Sequence, residues 1–269
     1  KEAVEVMSMI NVINGYTDGS FRPTANVKRA EMAKMVAYIV AGGEDVGNLY
    51  AGANTFTDCT THWARGYIAY ASKTGFVAGV GNNKFNPEGS VTGVQAAKML
   101  LCALGYDADI EQYVGSNWAV NTLDDARSVG LLKGLEKVNM NAALSREAAA
   151  QMMFNALQAK TVKYSNKGGS LDLGNGSSIN IGASTPEYIN ISEDADKPVY
   201  ETLMAKYFED LEKVTDASDD EAFARPSHSW KYDKKSVGPF ADDAAFTYTA
   251  STEKRSEERR VGKECRSRW

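Results

Sequence analysis

The sequence predicts a mainly α-helical body of three helix-loop-helix repeats, followed by a small β-rich extension with one helix. Three observations support this fold class. A glycine-rich stretch at residues 14–31 recurs twice further along the chain in imperfect copies. Apolar residues at helical spacing follow each copy, as in a helix with one buried face. From Lys160 onward, short runs alternate apolar and polar residues, which indicates strands.

The repeats come into register when their loop glycines, Gly15, Gly79 and Gly134, are aligned. Trp63 and Trp118 each lie sixteen residues before the glycine of their repeat, and a helical pattern follows each tryptophan. After each glycine, apolar pairs recur at the spacing of a buried helical stripe. These pairs are Met35, Val36, Ile39 and Val40; Met99, Leu100, Ala103 and Leu104; and Met152, Met153, Ala156 and Leu157.

The repeat pattern divides the chain into five segments. Repeat 1 spans 1–53, and we expect it to be N-terminally truncated because the same offset would place its tryptophan before residue 1. Repeat 2 spans 54–110 and repeat 3 spans 111–160. A β-containing extension or linker follows at 161–254, and the last segment is 255–269.

The last segment differs in composition from the rest of the chain and contains six Lys and Arg residues. It resembles the conceptual translation of a sequencing-library adapter, and we interpret it as an artefactual tail. Without it, 24 of the 30 basic and 32 of the 35 acidic residues remain, a net charge of −8. This balance argues against a nucleic-acid partner.

The sequence shows no catalytic or metal-binding motif. Apart from the tail, it has Cys59 and Cys102, without the spacing of a disulfide framework or a zinc site. Its histidines are His62 and His228, and it has no nucleophile motif, phosphate loop or dinucleotide fingerprint. We therefore expect no enzymatic activity, no cofactor and no metal. No apolar run approaches the roughly 18 to 20 residues of a membrane helix, so no membrane insertion is predicted.

The start of the second helix in each repeat carries the candidate binding residues. Arg29 and Arg146 directly follow the predicted cap positions, where the helix dipole disfavours a cation. An anion shared between the arginine and free backbone N–H groups would explain this placement. Pairing with a carboxylate such as Asp18 or Glu147 explains it equally well. The predicted caps are Asn26 or Lys28 with Glu31 nearby, Thr92 with Gln95, and Ser145.

The repeats resemble S-layer homology domains, because several motif elements of that family occur in order. They read Phe56-Thr-Asp58, Trp63-Ala64, Gly15 to Pro23, Lys28-Arg-Ala-Glu31 and Ser145-Arg146. The resemblance covers residues 1–160. It implies a pseudo-threefold helical body, outside the cell at the wall or in an S-layer, bound non-covalently to the secondary cell-wall polysaccharide. It also implies pockets between repeats for an anionic, often pyruvylated, terminal sugar.

The carried-over motif predicts unequal pockets. Its arginine falls on Arg29 and Arg146 but on Gly93 in repeat 2, so we expect one or two working pockets, with Arg29 the better candidate. The motif glutamate is Glu31, and it becomes Gln95 and Ala148 in the later repeats. The predicted carbohydrate-binding residues are Arg29, Lys28, Glu31, Asp18, Ser145, Arg146, Trp63 and Trp118.

Two of these roles have alternatives. Trp63 and Trp118 could each stack on a sugar ring, but their place at a helix start within a core pattern favours packing. Asp18 could contact the ligand or orient Arg29, or it could serve the turn alone.

The extension is predicted to contain short strands and one amphipathic helix. The helix is expected over 198–214, with Leu203, Tyr207 and Leu211 on one face. An acidic linker is expected at 216–220. The predicted strands are 161–164, 170–173, 178–181, 188–191, 229–232 and 245–248.

The implied function is wall anchoring through a polysaccharide, and two alternatives stay open. The chain could be the anchor of a secreted glycan-active enzyme whose catalytic domain lies elsewhere. It could also be a structural subunit that self-associates in a surface layer.

Overall fold

A computed structural model describes residues 1–53, 56–172, 178–194, 196–216 and 227–241. The helices in these ranges are α1 (Glu2–Met9), α2 (Arg29–Val40), α3 (Arg65–Lys73), α4 (Gly93–Leu104), α5 (Trp118–Ser128), α6 (Arg146–Gln158) and α7 (Leu203–Tyr207). The strands are β1 (Val162–Lys163), β2 (Gly169–Asp172), β3 (Ser178–Ile181), β4 (Glu187–Tyr188), β5 (Glu212–Asp216), β6 (Ser227–Tyr232) and β7 (Lys235–Ala241). None of these helices is long and apolar enough to cross a membrane.

Chain contacts define two compact units, the first of which holds the repeats. It comprises Lys1–Val214 and Ser229–Gly238. The described part of the second unit consists of strand ends at residues 215–216, 227–228 and 239–241. Within it, the ring centroids of His228 and Phe240 lie 5.9 Å apart.

The three helix pairs confirm the predicted helical body. Helices α1 and α2, α3 and α4, and α5 and α6 each flank one glycine-rich loop. The first helix of a repeat packs on the second helix of another: α3 on α2, α5 on α4, and α1 on α6. The apolar stripes predicted from the sequence are buried at these contacts. Fully or almost fully buried members include Val36, Ile39, Met99, Leu100, Leu104, Met152, Met153 and Leu157.

A closed ring of backbone hydrogen bonds joins the repeats just before their second helices. The amide of Val27 donates to the carbonyl of Leu144, that of Leu144 to Val91, and that of Val91 to Val27, each at 2.9 Å. All three side chains are buried. Each repeat therefore contacts both others at the same position, which fixes the starts of the second helices relative to one another.

The predicted helix caps are present. Thr92 and Gln95 bond reciprocally: the Gln95 amide donates to Thr92 Oγ1 at 3.3 Å and the Thr92 amide to Gln95 Oε1 at 3.2 Å. Ser145 Oγ accepts from the Ala148 amide at 3.3 Å. In repeat 1 the cap is Lys28, whose amide donates to Glu31 Oε2 at 2.9 Å.

The extension contains the predicted strands, although not all of them at the expected length. Strand β1 pairs antiparallel with β4, β2 pairs antiparallel with β3, and β5, β6 and β7 form a sheet in that order. The sequence did not predict β5 or β7, and Gly238 and Pro239 lie within β7. The predicted strand at 245–248, the predicted linker beyond Asp216 and the tail at 255–269 lie outside the described residues.

The predicted helix over 198–214 is wrong, because α7 covers only its middle. Glu201 is extended: its carbonyl accepts from the Thr161 amide and its amide donates to the Ile189 carbonyl, both at 2.8 Å. A helix can begin only after these bonds, and Thr202 caps it by accepting from the Ala205 amide at 3.1 Å. The chain then turns to bury Phe208 and Leu211, which ends the helix.

The extension packs against the helical body through Trp230. Its indole N–H donates to Glu2 Oε1 at 2.7 Å, and its ring centroid lies 5.4 Å from that of Phe154. Trp230 is almost completely buried. This contact joins β6 to both α1 and α6.

Candidate functional site

Arg29 and Arg146 hold the loops of neighbouring repeats. Arg29, the first residue of α2, donates from Nε to the Phe85 carbonyl at 2.9 Å and from Nη2 to the Ala78 carbonyl at 3.0 Å. Arg146, the first residue of α6, donates in the same way to Phe21 at 2.9 Å and to Asn14 at 3.0 Å. Each guanidinium therefore fixes both ends of one glycine-rich loop.

These bonds answer the question of why a cation stands at a helix N-terminus. The hydrogen-bond partners of the Arg29 and Arg146 side chains are loop carbonyls, not Asp18 or Glu147. The first N–H groups of the helices are also taken by loop carbonyls. The Arg29 amide donates to Gly89 at 2.8 Å and the Arg146 amide to Ala25 at 2.9 Å. The helix N-terminus is thus used for joining repeats.

Repeat 2 has Gly93 in place of the arginine, and Met140 occupies the space that a side chain at this position would need. A Cβ on Gly93 would lie 2.6 Å from Met140 Sδ and 2.9 Å from Met140 Cα. The repeat 3 loop is held differently: Asn155 Nδ2 donates to the Leu131 carbonyl at 2.9 Å and the Lys133 carbonyl at 2.8 Å. The repeat 3 loop therefore lies directly against α4 and has its own anchor.

The peptide of Phe85 is held from both sides by opposite charges. Burial lowers the pKa of Arg29, and the Asp58 carboxylate opposes that shift. Burial by itself would raise the pKa of Asp58, but backbone N–H groups outweigh it and the pKa is lowered. The amides of Phe85 and Asn86 donate to Asp58 at 2.9 Å and 2.8 Å. The Phe-x-Asp motif element therefore anchors the loop of its own repeat.

A cavity of about 230 Å³ is lined by residues of all three repeats. Repeat 1 contributes its loop and one face of α2, repeat 2 contributes the residues before α3, and repeat 3 contributes the start of α6. The charged and aromatic residues of its wall are Tyr16, Glu31, Lys34, Trp63 and Arg146. Three of the predicted site residues, Glu31, Trp63 and Arg146, thus come together although they are far apart in the sequence.

The charges in the wall of this cavity favour an anion. The wall contains two cations, Lys34 and Arg146, and one carboxylate, that of Glu31. The two hydrogen bonds of Arg146 use two of the five N–H groups of a guanidinium, which leaves donors for a ligand. Lys34 Nζ lies 5.5 Å from the ring centroid of Tyr67 and 6.0 Å from that of Trp63. At these distances an ammonium group is attracted by the faces of the aromatic rings.

Trp63 is an exposed aromatic residue at the edge of this cavity. It is 56% exposed, so the expectation that it packs in the core is wrong. The physical reason is its position in the turn before α3, which begins at Arg65, so that it is not part of the buried face of the helix. Trp118, by contrast, is the first residue of α5 and is half-buried, with Lys98 Nζ 6.0 Å from its ring centroid.

The other predicted site residues do not line this cavity. Arg29 is only 5% exposed. Lys28 forms an ion pair with Glu88, and Ser145 caps α6. Asp18 bonds to Ser20 and, at 2.8 Å, to Arg22; these two partners, Ser20 first, lower its pKa to about 2. It therefore does not orient Arg29. A direct role of these residues and of Trp118 in binding stays a prediction.

Sequence reasoning missed Lys34 and Tyr16. The signal for Lys34 is weak but present: it lies five residues after Arg29, and Lys98 lies five residues after Gly93, the equivalent position. A lysine that recurs at one register of an otherwise apolar helix is a candidate for a site. Tyr16 gives no such signal, because its equivalent in repeat 2 is Val80.

The sequence comparisons agree with this architecture. The family model of the S-layer homology domain matches residues 2–33 and 55–97. These two segments match S-layer homology repeats. The matched segments include the loop of repeat 1 and the start of α2, and the loop of repeat 2 with the first turns of α4. The resemblance expected from the motifs is therefore confirmed.

Similar proteins are found at bacterial surfaces. A cell surface protein of Thermoanaerobacter kivui is 33% identical over 164 residues, which are 60% of this chain and 20% of that protein. A surface layer protein of Brevibacillus choshinensis is 27% identical over 165 residues, 61% of this chain and 14% of that protein. A protein of Bacillus anthracis named as an uncharacterized cell wall amidase is 31% identical over 93 residues, 35% of this chain and 17% of that protein.

The chain thus spans a fifth or less of the length of these relatives. Their names and the domain match confirm the predicted extracellular location at the cell wall or in an S-layer. They also support surface anchoring at the wall as the role of the repeats.

Proposed function

We propose that this chain anchors a bacterial surface protein by binding an anionic secondary cell-wall polysaccharide non-covalently, and that its three repeats form a pseudo-threefold body. The cavity with two cations beside an exposed tryptophan supports the first part. The closed ring of backbone hydrogen bonds among Val27, Leu144 and Val91 supports the second part.

The cavity suits a sugar that carries a carboxylate, such as a pyruvate ketal. Arg146 supplies the remaining guanidinium donors and Lys34 an ammonium group, and carboxylates bind strongly to such charge-assisted donors. Trp63 presents an apolar surface to the sugar ring. Glu31 accepts a hydrogen bond from a sugar hydroxyl on the same wall. The ligand is therefore bound by charge at one end and by ring contact at the other.

The alignment of the repeats predicts that the equivalent residues elsewhere in the chain bind the ligand more weakly. The second set of equivalent residues is Arg29, Gln95 and Lys98. In this set, Lys98 Nζ already donates to the Tyr113 carbonyl at 2.6 Å, and Gln95 stands where repeat 1 has Glu31. The third set consists of Gly93, Ala148 and Gln151, none of which is charged. The main site is accordingly the cavity of Arg146, and Arg29 belongs to the second set.

The direct test is co-sedimentation of the full chain with purified Brevibacillus choshinensis cell walls, before and after chemical removal of their secondary polysaccharide. The chain is expected to pellet with intact walls and to stay in solution with stripped ones. Equal pelleting with both would contradict polysaccharide binding and point to peptidoglycan instead.

Two other roles each have one supporting observation. The relative named as a cell wall amidase favours an anchor that belongs to a wall-active enzyme. The relative named as a surface layer protein favours a lattice subunit. Sedimentation velocity of the full chain separates the latter from a monomeric anchor, because a lattice subunit forms larger species as its concentration rises.

A further inference from the structure

Trp63 also lines a second cavity, of about 320 Å³. This cavity lies between the chain segment after α2 and the segment that leads into α3. Its polar wall is formed by Asn48, Thr60, Thr61, His62 and Arg65. Since one exposed indole borders both cavities, a ligand that contacts this ring can extend from the first into the second. The volume is near the lower end of the range of about 300 to 1,000 Å³ that is typical of small-molecule sites.

The wall of the second cavity is held in place by close packing. A Cβ on Gly66 would lie 1.9 Å from the carbonyl oxygen of Gly47, so the loop after α2 touches the first turn of α3 directly. Asp45 fixes the same loop by accepting from the Gly47 amide at 2.9 Å and from the Tyr67 hydroxyl at 2.7 Å. These contacts therefore hold this part of the cavity wall in place.

The donors and acceptors of this cavity are mostly uncharged. The side-chain amide of Asn48 and the side-chain hydroxyl of Thr61 have no hydrogen-bond partner among the described residues. Arg65 donates from Nη1 to the Thr60 carbonyl at 2.6 Å. His62 is fixed, because its Nδ1 accepts from the Ala64 amide at 3.1 Å and its Nε2 lies 2.8 Å from Glu88 Oε1. No carboxylate lines this cavity.

We infer that the second cavity binds the sugar next to the anionic terminal residue. The inference rests on the proposed function, since the first cavity must hold the charged end. The Asn48 amide and the Thr61 hydroxyl bond to the hydroxyl or acetamido groups of the second sugar, and Trp63 contacts both rings. The site therefore recognises at least a disaccharide, and its affinity depends on the length of the glycan.

The test uses the full chain and polysaccharide fragments released from Brevibacillus choshinensis walls by mild acid and separated by length. Binding is measured by isothermal titration calorimetry with the shortest anionic fragments and with longer ones. The unsubstituted chain is expected to bind the longer fragments at least tenfold more tightly. The double variant Asn48→Ala with Thr61→Ala is expected to lose this difference while it binds the shortest fragments as before.

A second variant and a control complete the design. Ala51→Trp, which fills the cavity from another side, is expected to give the same result as the double variant. Thr24→Ala, an exposed threonine in the loop of repeat 1, is expected to keep the length dependence. If the double variant and Ala51→Trp keep the length dependence, the inference is overturned and the proposed function stands. If no fragment binds to the unsubstituted chain, both are overturned.

Discussion

Arg29 and Arg146 make the same two hydrogen bonds in different repeats, each to the carbonyl of the loop phenylalanine and to the carbonyl before the loop glycine. They differ in what lies beside them: Arg29 is 5% exposed, whereas Arg146 lines the cavity of Tyr16 and Trp63. The pair therefore allows the structural work of the arginine to be separated from ligand binding.

Replacing Arg29 should destabilise the fold. Arg29→Gln leaves the carbonyls of Phe85 and Ala78 without their charged donor, and hydrogen bonds to charged groups contribute about 1.5 to 3 kcal/mol each. We expect the free energy of unfolding to fall by about 2 to 4 kcal/mol, measured by urea denaturation of the full chain. Arg127→Gln removes an equal charge from an exposed ion pair. This control should change the free energy of unfolding by less than about 0.5 kcal/mol. Equal effects of the two substitutions would show that the loop anchor of Arg29 does not contribute to stability.

Replacing the cations of the cavity should weaken binding of the polysaccharide. Lys34→Gln and Arg146→Gln each remove a donor for the anionic group, and we expect about 10- to 100-fold weaker binding in each, because tenfold corresponds to about 1.4 kcal/mol. Calorimetric titration with the wall-derived fragments measures this.

Two controls match these variants. Lys137→Gln removes an exposed lysine outside the cavity, and Arg29→Gln loses the same type of loop anchor as Arg146→Gln. Binding should be nearly unchanged in Lys137→Gln and should fall less in Arg29→Gln than in Arg146→Gln. The opposite order for the two arginines would place the main site at the second set of residues.

Adding a single methyl group at Gly93 should be costly. The Cβ of Gly93→Ala would overlap the backbone of Met140, and overpacking of this kind costs about 1 to 3 kcal/mol. The decrease should appear as a lower urea midpoint with an unchanged slope. Gly52→Ala is the control, since nothing lies within 4 Å of a Cβ there. A Gly93→Ala variant as stable as the control would rule out this contact as the reason for the missing arginine.

Stability should fall in acid partly because of Asp58. Its pKa is lowered in the folded chain, where the Phe85 and Asn86 amides hold the charged form. A carboxylate with a lowered pKa contributes stability above the unfolded value, about 3.9 for aspartate. That contribution is lost as the pH falls through the folded pKa.

The test compares the unfolding free energy of the unsubstituted chain and Asp58→Asn between about pH 2 and pH 6. The variant should show a smaller loss of stability on acidification, because asparagine cannot take up the proton. Asp124→Asn, an exposed carboxylate paired with Arg127, is the control and should follow the unsubstituted chain. A variant curve parallel to that of the unsubstituted chain would rule out the contribution of Asp58.

The extension shows where sequence patterns failed. The alternation at 178–181 predicted β3 correctly, because period two is a local property that a hairpin keeps. The helical spacing of Leu203, Tyr207 and Leu211 suggested one long helix, but backbone bonds of Glu201 to Thr161 and Ile189 delay its start. Those partners are far away in the chain, and no local pattern reports them.

The sequence by itself determined the repeats, their helices and caps, and the register that aligns Gly15, Gly79 and Gly134, because helical periodicity and capping act over a few residues. Only the tertiary structure decided that Arg146 and Trp63 line one cavity and that Arg29 does not, because that arrangement depends on contacts across more than a hundred residues. It also decided what Arg29 and Arg146 bind: carbonyl oxygens carry no sequence signal, since every residue has one.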